Sequence, residues 1–165
     1  MKKMMMLALA LVMMLTLTGA ALAESALMSK EDQMKNMVQD FLDENGYEYE
    51  YDDYTFSMSF ALENALEYVN VMVFVDDDML SVTVDAPIQG EEAAFEPLAV
   101  LTTLINSEIF YAQFRVDHHN DKLYVACRAC NLAEDVVPGE NELYYLINEP
   151  MRYMEEYGDG IHAVI

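Results

Sequence analysis

Apolar residues recur along this chain in two rhythms. Met34, Met37, Val38, Phe41 and Leu42 fall at i, i+3, i+4, i+7 and i+8, which is one stripe of a helix. Ser29-Lys30-Glu31-Asp32 precedes them as a capping-box-like start. Gly46 stops the helix, because glycine accepts the left-handed backbone that helix ends use. The period then drops to two. Tyr47-Glu48-Tyr49-Glu50-Tyr51 alternates aromatic and acid, the mark of a strand with rings on one face. After Asp52-Asp53, the residues Phe56, Met58, Phe60 and Leu62 alternate with smaller ones in a second strand. The run Tyr68–Val75 is β-branched and nearly all apolar, as a central strand is. Asp76-Asp77-Asp78 turns it into a partner strand at Met79–Asp85, completing an antiparallel meander.

Pro87 ends the meander, and helical spacing returns with Phe95, Leu98, Leu101, Leu104 and Ile105, up to Asn106. Pro97 either sits in the first turn of that helix or kinks it. Ile109–Asp117 and Lys122–Cys130 form a hairpin around His118-His119-Asn120-Asp121. A last helix runs from about Glu140 to Tyr157, is interrupted by Pro150 and is closed by Gly158, with Leu143, Ile147, Met151 and Met154 on its inner side. The apolar tail Ile161–Ile165 packs back on the domain. The expected class is α+β: an antiparallel β-meander plus a β-hairpin packed with three helices, in the order α-ββββ-α-ββ-α, as one domain over residues 29–165.

The first 23 residues stand apart. Met1-Lys2-Lys3 is a short positive start, Met4–Ala23 is uncharged and apolar, and Ala21-Leu22-Ala23 is the small-x-small pattern of a signal-peptide exit. An uncleaved membrane anchor is the alternative, since a bilayer needs about 20 apolar residues. Cleavage implies an exported domain, secreted or in the cell envelope, with residues 24–28 as a short leader. The net charge is −22, and losing Lys2 and Lys3 takes it to −24. Such a field repels nucleic acid and anionic lipid, and favours cationic proteins, cationic peptides or divalent ions. Apolar periodicity nearly to the end separates this chain from acidic disordered ones.

Candidate chemistry is thin. Tyr47, Tyr49 and Tyr51 are either core or, with one edge open, a face that receives an extended cationic segment by strand addition. Met34, Met37, Met151 and Met154 are core or adaptable interface. Cys127 and Cys130 have redox or metal spacing, but odd spacing in a strand points them to opposite faces. They read as core thiols, with a local disulfide after export as the alternative. Asp117, His118, His119 and Asp121 resemble a metal cluster on paper, and Asp52-Asp53 with Asp76-Asp77-Asp78 supply oxygens for calcium without the spacing of a calcium loop. No Ser–His–Asp order, phosphate loop or His-Glu-x-x-His helix is present, so no cofactor and no catalysis are expected.

The run Leu98-Ala99-Val100-Leu101-Thr102-Thr103-Leu104-Ile105-Asn106, the strand Tyr111-Ala112-Gln113-Phe114-Arg115-Val116-Asp117 and its partner Lys122-Leu123-Tyr124-Val125 resemble the bacterial YbjN-type family. The match extends over residues 29–165 as a pattern of elements. That resemblance implies the fold of the dimeric type III secretion chaperones, and a binding or regulatory module with no catalytic residues. It also implies a homodimer that holds an extended partner segment. The exported start departs from the family's mostly cytoplasmic members. The expected function is thus an exported, non-catalytic, chaperone-like binding domain for a protein or peptide. A divalent-cation-responsive acidic surface and a metal-assisted enzyme using His118 and His119 are the alternatives.

Overall fold

The structure, a computed structural model, describes residues 28–76, 78–86, 88, 92–119, 122–132 and 137–165. The expected signal-peptide segment 1–23, leader residues 24–27, Asp77, Pro87, Asn120 and Asp121 lie outside the described residues. Helix α1 (Lys30–Glu44) begins as its sequence requires, with the Ser29 hydroxyl accepting from the Asp32 N–H at 3.0 Å. Gly46, at φ 69°, ends it. Its N–H donates to Asp43 and the Tyr47 N–H donates to Leu42, so two carbonyls of the last turn are satisfied.

Six strands form one antiparallel sheet in the order β1-β2-β3-β4-β6-β5. They are β1 (Glu50–Asp52), β2 (Thr55–Ala61), β3 (Tyr68–Asp76), β4 (Met79–Ala86), β5 (Gln113–His119) and β6 (Lys122–Leu132). A 3₁₀ turn at Glu92–Ala94 leads from the meander into α2 (Phe95–Asn106), and α3 (Glu140–His162) closes the chain. This is the expected α+β class, with the meander and the hairpin joined through the β4–β6 ladder.

Strand residues alternate between faces, and among the described residues the helices cover only one. Phe56, Met58, Val69, Val71, Val73, Val75, Leu80, Val82 and Val84 are buried there. They share one cluster with Val38 and Leu42 of α1, Leu98 and Ile105 of α2, and Leu143, Ile147, Met154 and Ile161 of α3. The other face carries half-buried Asn70, Met72, Phe74, Tyr124 and Arg128. Ser81 and Thr83 are nevertheless buried on it, and Arg128 donates to the Ser81 hydroxyl at 3.3 Å.

The sequence pattern misplaces several boundaries. Residues 47–49 are not strand, and β1 keeps only Glu50–Asp52. The Tyr47 and Tyr49 rings follow α1's end into the core instead. The hairpin's first strand starts at Gln113 rather than Ile109, because the Ile109 N–H still bonds the Ile105 carbonyl in a helical turn. His118 and His119 belong to β5, opposite Leu123 and Lys122, and not to the turn. Pro97 lies in the first turn of α2, where its missing N–H costs nothing. Neither Pro150 nor Gly158 ends α3, which runs through both to His162.

Gly158 has a physical reason to be glycine inside a helix. Asn64, in the β2–β3 loop, fills the space where a β-carbon would project and donates to the Met154 and Glu155 carbonyls at 2.9 and 3.0 Å. The same loop donates the Glu63 N–H to Glu155 and the Ala65 N–H to Asp159 at 2.9 Å. Four hydrogen bonds therefore seat one end of the meander on α3. Gly158→Ala is expected to cost about 2–4 kcal/mol in urea unfolding, from lost bonds and displaced packing. Gly160→Ala, which meets only open space, should be neutral or stabilising by up to about 1 kcal/mol.

Candidate functional site

The three tyrosines at the start of the sheet do not share one open face. Tyr47 packs on Phe41 and edge-on against Phe60, at centroid distances of 6.3 and 5.7 Å. Tyr49 lies 5.6 Å from Phe56 and donates its hydroxyl to Asp43 at 3.0 Å. Burial, reinforced by the Asp43 carboxylate, holds that phenol above its ordinary pKa. Tyr51 is half exposed, 4.4 Å from Phe56, and donates to the Asp53 carbonyl. A cleft of about 450 Å³ opens where residues 48–50 diverge from β2, lined by Glu48, Tyr49, Glu50, Ser57, Met58 and Ser59. Its charge is acidic, but the Tyr47 and Tyr49 rings beside it already serve the core.

Cys127 and Cys130 are both free thiols on opposite faces of β6, Cys127 buried and Cys130 exposed. Desolvation pushes the Cys127 thiol up to about 12. Because thiolate is the reactive form, a maleimide should modify Cys130 alone in the native protein and reach Cys127 only on unfolding. Peptide mass mapping reads this directly. Double labelling of the folded chain would show that β6 opens.

The remaining candidates are dispersed. Asp117 pairs with Arg115 at 2.7 Å, whereas His118, one residue on, faces the other way and borders a cleft with Glu92 and Glu96. Among the described residues, no three His, Cys, Asp or Glu side chains gather as a metal would need. Asp52 accepts from the Tyr54 and Thr55 N–H groups, and Asp78 lies 3.5 Å from Lys30. Met34 and Met154 are fully buried, and Met37 and Met151 are half-buried against the core.

Asp85 lies on the uncovered sheet face, and one acid among so many has no spacing signal in the sequence. Its Oδ1 and the Arg128 Nε are buried without a hydrogen-bond partner. Desolvation raises its carboxyl above the usual 3.8, against the opposing bond from Asn70. The folded chain therefore holds that proton more tightly than the unfolded one, and stability falls as pH rises through the window above the ordinary aspartate value. Asp85→Asn should flatten that decline above about pH 4. It should also add up to about 1 kcal/mol at neutral pH, because the site is only partly shielded from solvent. Urea midpoints across pH measure both effects.

The feature that periodicity hid is an apolar end of the molecule. Helix α2 buries Leu98, Thr102 and Ile105 but also exposes Val100 and Leu104, the latter by 61%. Beyond it Phe110 is 90% exposed and Tyr111 76%. These residues sit in a loop held shut at its base. The Asn106 side chain accepts from the Phe114 N–H at 2.7 Å and donates to the Phe114 carbonyl at 2.8 Å. The helical spacing counts Leu104 in the apolar stripe and the strand pattern takes in Phe110 and Tyr111, since burial on only one side of α2 leaves no mark in an all-apolar run.

Two solved structures are similar to this chain in fold. YbjN from E. coli superposes with a TM-score of 0.62 at 12% identity, over 78% of this chain and 90% of its own. The HopA1–SchA chaperone–effector complex contains a chain that matches with a TM-score of 0.51 at 13% identity, over 74% of this chain and 91% of that one. No family model and no curated protein matches the sequence. The chain thus has the YbjN-like, chaperone-like fold that its sequence resembles. No described helix is long and apolar enough to cross a membrane.

Proposed function

We propose that this chain is an exported, non-catalytic binding domain that engages a protein or peptide segment and works as a homodimer. The observation that carries the reading is the apolar end built by Val100, Leu104, Phe110 and Tyr111 on a chain of net charge −22. Exposed apolar surface on so acidic a protein is costly unless another protein covers it. The chaperone–effector complex among the structural neighbours supports a protein partner. The acidic field favours a cationic one.

Self-association needs a surface where two such acidic chains do not repel. No Lys or Arg occurs between Lys35 and Arg115, so most of the meander and all of α2 lack basic charge. Edge strand β5 is different. A two-fold axis at Val116 would lay β5 beside its copy, with Phe114 left to its Asn106 clasp, and set Arg115 opposite Asp117 of the second chain, twice over. Arg115 and Asp117 already lie on one face of the strand, 2.7 Å apart, so the four charges would alternate in sign. Helix α2 packs on β5 and would bring its Val100–Leu104 stripe to the same axis.

Light scattering on the purified protein should give twice the chain mass. Leu104→Glu should return it to the monomer, as should Arg115→Asp. Combining Arg115→Asp with Asp117→Arg should restore the dimer. A wild-type monomer at high micromolar concentration would defeat the homodimer.

A further inference from the structure

We propose that the groove between α3 and the bare end of β6 takes an extended, lysine- or arginine-bearing peptide segment by strand addition, an assignment that rests on the reading of the chain as a segment-binding domain. Strand β6 is longer than the neighbour that should cover it. On one side it pairs with β4 from Val125 to Leu132. On the other it pairs with β5 only from Lys122 to Arg128. Residues 129–132 therefore turn main-chain groups toward a side where, among the described residues, no strand lies. Unpaired N–H and C=O groups in an extended edge are a template for another strand.

The chain that would have filled this place is steered away. Asn106 occupies the main-chain groups of Phe114, and residues 110–112 leave the line of β5. Tyr111 thus forms an end wall instead of a rung. The long wall is α3, whose Glu142, Tyr145, Leu146 and Glu149 fall at i, i+3, i+4 and i+7 and line one stripe of the groove. Ala129, Cys130 and Asn131 form its floor, and the space between is about 640 Å³.

The lining selects the occupant. It contains two carboxylates and no basic residue. Arg152, the cation bound to Glu149 at 2.7 Å, also reaches Glu156 at 3.2 Å. Tyr111 and Tyr145 are largely exposed, with ring faces that attract ammonium and guanidinium groups. Leu146 and Ala129 give the alternate, inward side chains of an added strand an apolar seat. The acidic cleft beside β1 offers charge but has less free aromatic surface, because Tyr47 and Tyr49 pack inward.

The test uses a fluorescein-labelled heptapeptide of alternating lysine and valine, followed by anisotropy with the purified protein. Binding is expected, with no binding by the glutamate–valine counterpart. A version N-methylated at alternate positions should bind at least about tenfold more weakly, because it cannot complete the ladder. Tyr145→Ala, at an exposed position that the fold does not use, should weaken binding by about tenfold. Tyr51→Ala should leave it unchanged. The lysine peptide should also slow maleimide labelling of Cys130. Equal binding of the N-methylated peptide overturns strand addition in favour of charge attraction. Sensitivity to Tyr51→Ala instead of Tyr145→Ala moves the site to β1 and overturns the groove. Absence of binding by a preparation that is still dimeric sinks the groove alone and leaves the binding-domain reading standing.

Discussion

Everything in this molecule follows from a sheet whose two faces are treated unequally. One face is a continuous field of valine, leucine and phenylalanine from β2 to β6, and three helices must cover it. Helix α1 alone spans too little, so α3 has to be long enough to pass over β4 and β6. Its length explains why it tolerates both Pro150 and Gly158. A proline removes one hydrogen bond, whereas breaking the helix there would uncover Met154 and Ile161, both fully buried. The Asn64 contact uses the glycine to lock the meander under that helix.

Much of this was legible in the sequence, for a reason specific to each element. The valines of β3 and β4 announce central strands because both neighbours are strands and one face is wholly buried. Helix α1 declares itself through a clean stripe with a serine cap and a glycine stop. What failed was local punctuation. Gly158 reads as a breaker because its compensation, Asn64, lies some ninety residues away, and Pro150 because the burial that holds the helix through it is tertiary. Residues 109–112 read as strand because they are apolar and aromatic, yet the side chain that diverts them, Asn106, gives no periodic signal. The tyrosine alternation at 47–51 was real, but two of its rings turn inward with the end of α1.

The candidate site was harder to see than the fold because it depends on mismatched lengths. A groove beside β6 exists only since β5 starts late, and an exposed stripe on α2 exists only since a single layer of sheet lies beneath it. Neither condition is written in any one segment. The paired thiols show the opposite case, where a motif with familiar spacing falls in a strand and is split between interior and surface by simple geometry. Charge behaves likewise. The acids scatter over turns and helix faces; Asp52 and Glu142 accept backbone N–H groups at a turn and a helix start, and a few others pair with the sparse bases. The six bases of the described residues spread over α1, β5, β6 and α3, and Arg115 and Arg152 each hold a neighbouring carboxylate.

The clasp that Asn106 makes on Phe114 carries one more implication. By satisfying both main-chain groups of a strand residue with a single side chain, it closes the loop of residues 107–112 without using the exposed side chains at its tip. Glu108, Phe110 and Tyr111, all exposed, can therefore change identity while buried Ile109 and the strand beyond them stay in place. Among descendants of such a chain, this is where recognition would diversify first, with the sheet left as constant framework.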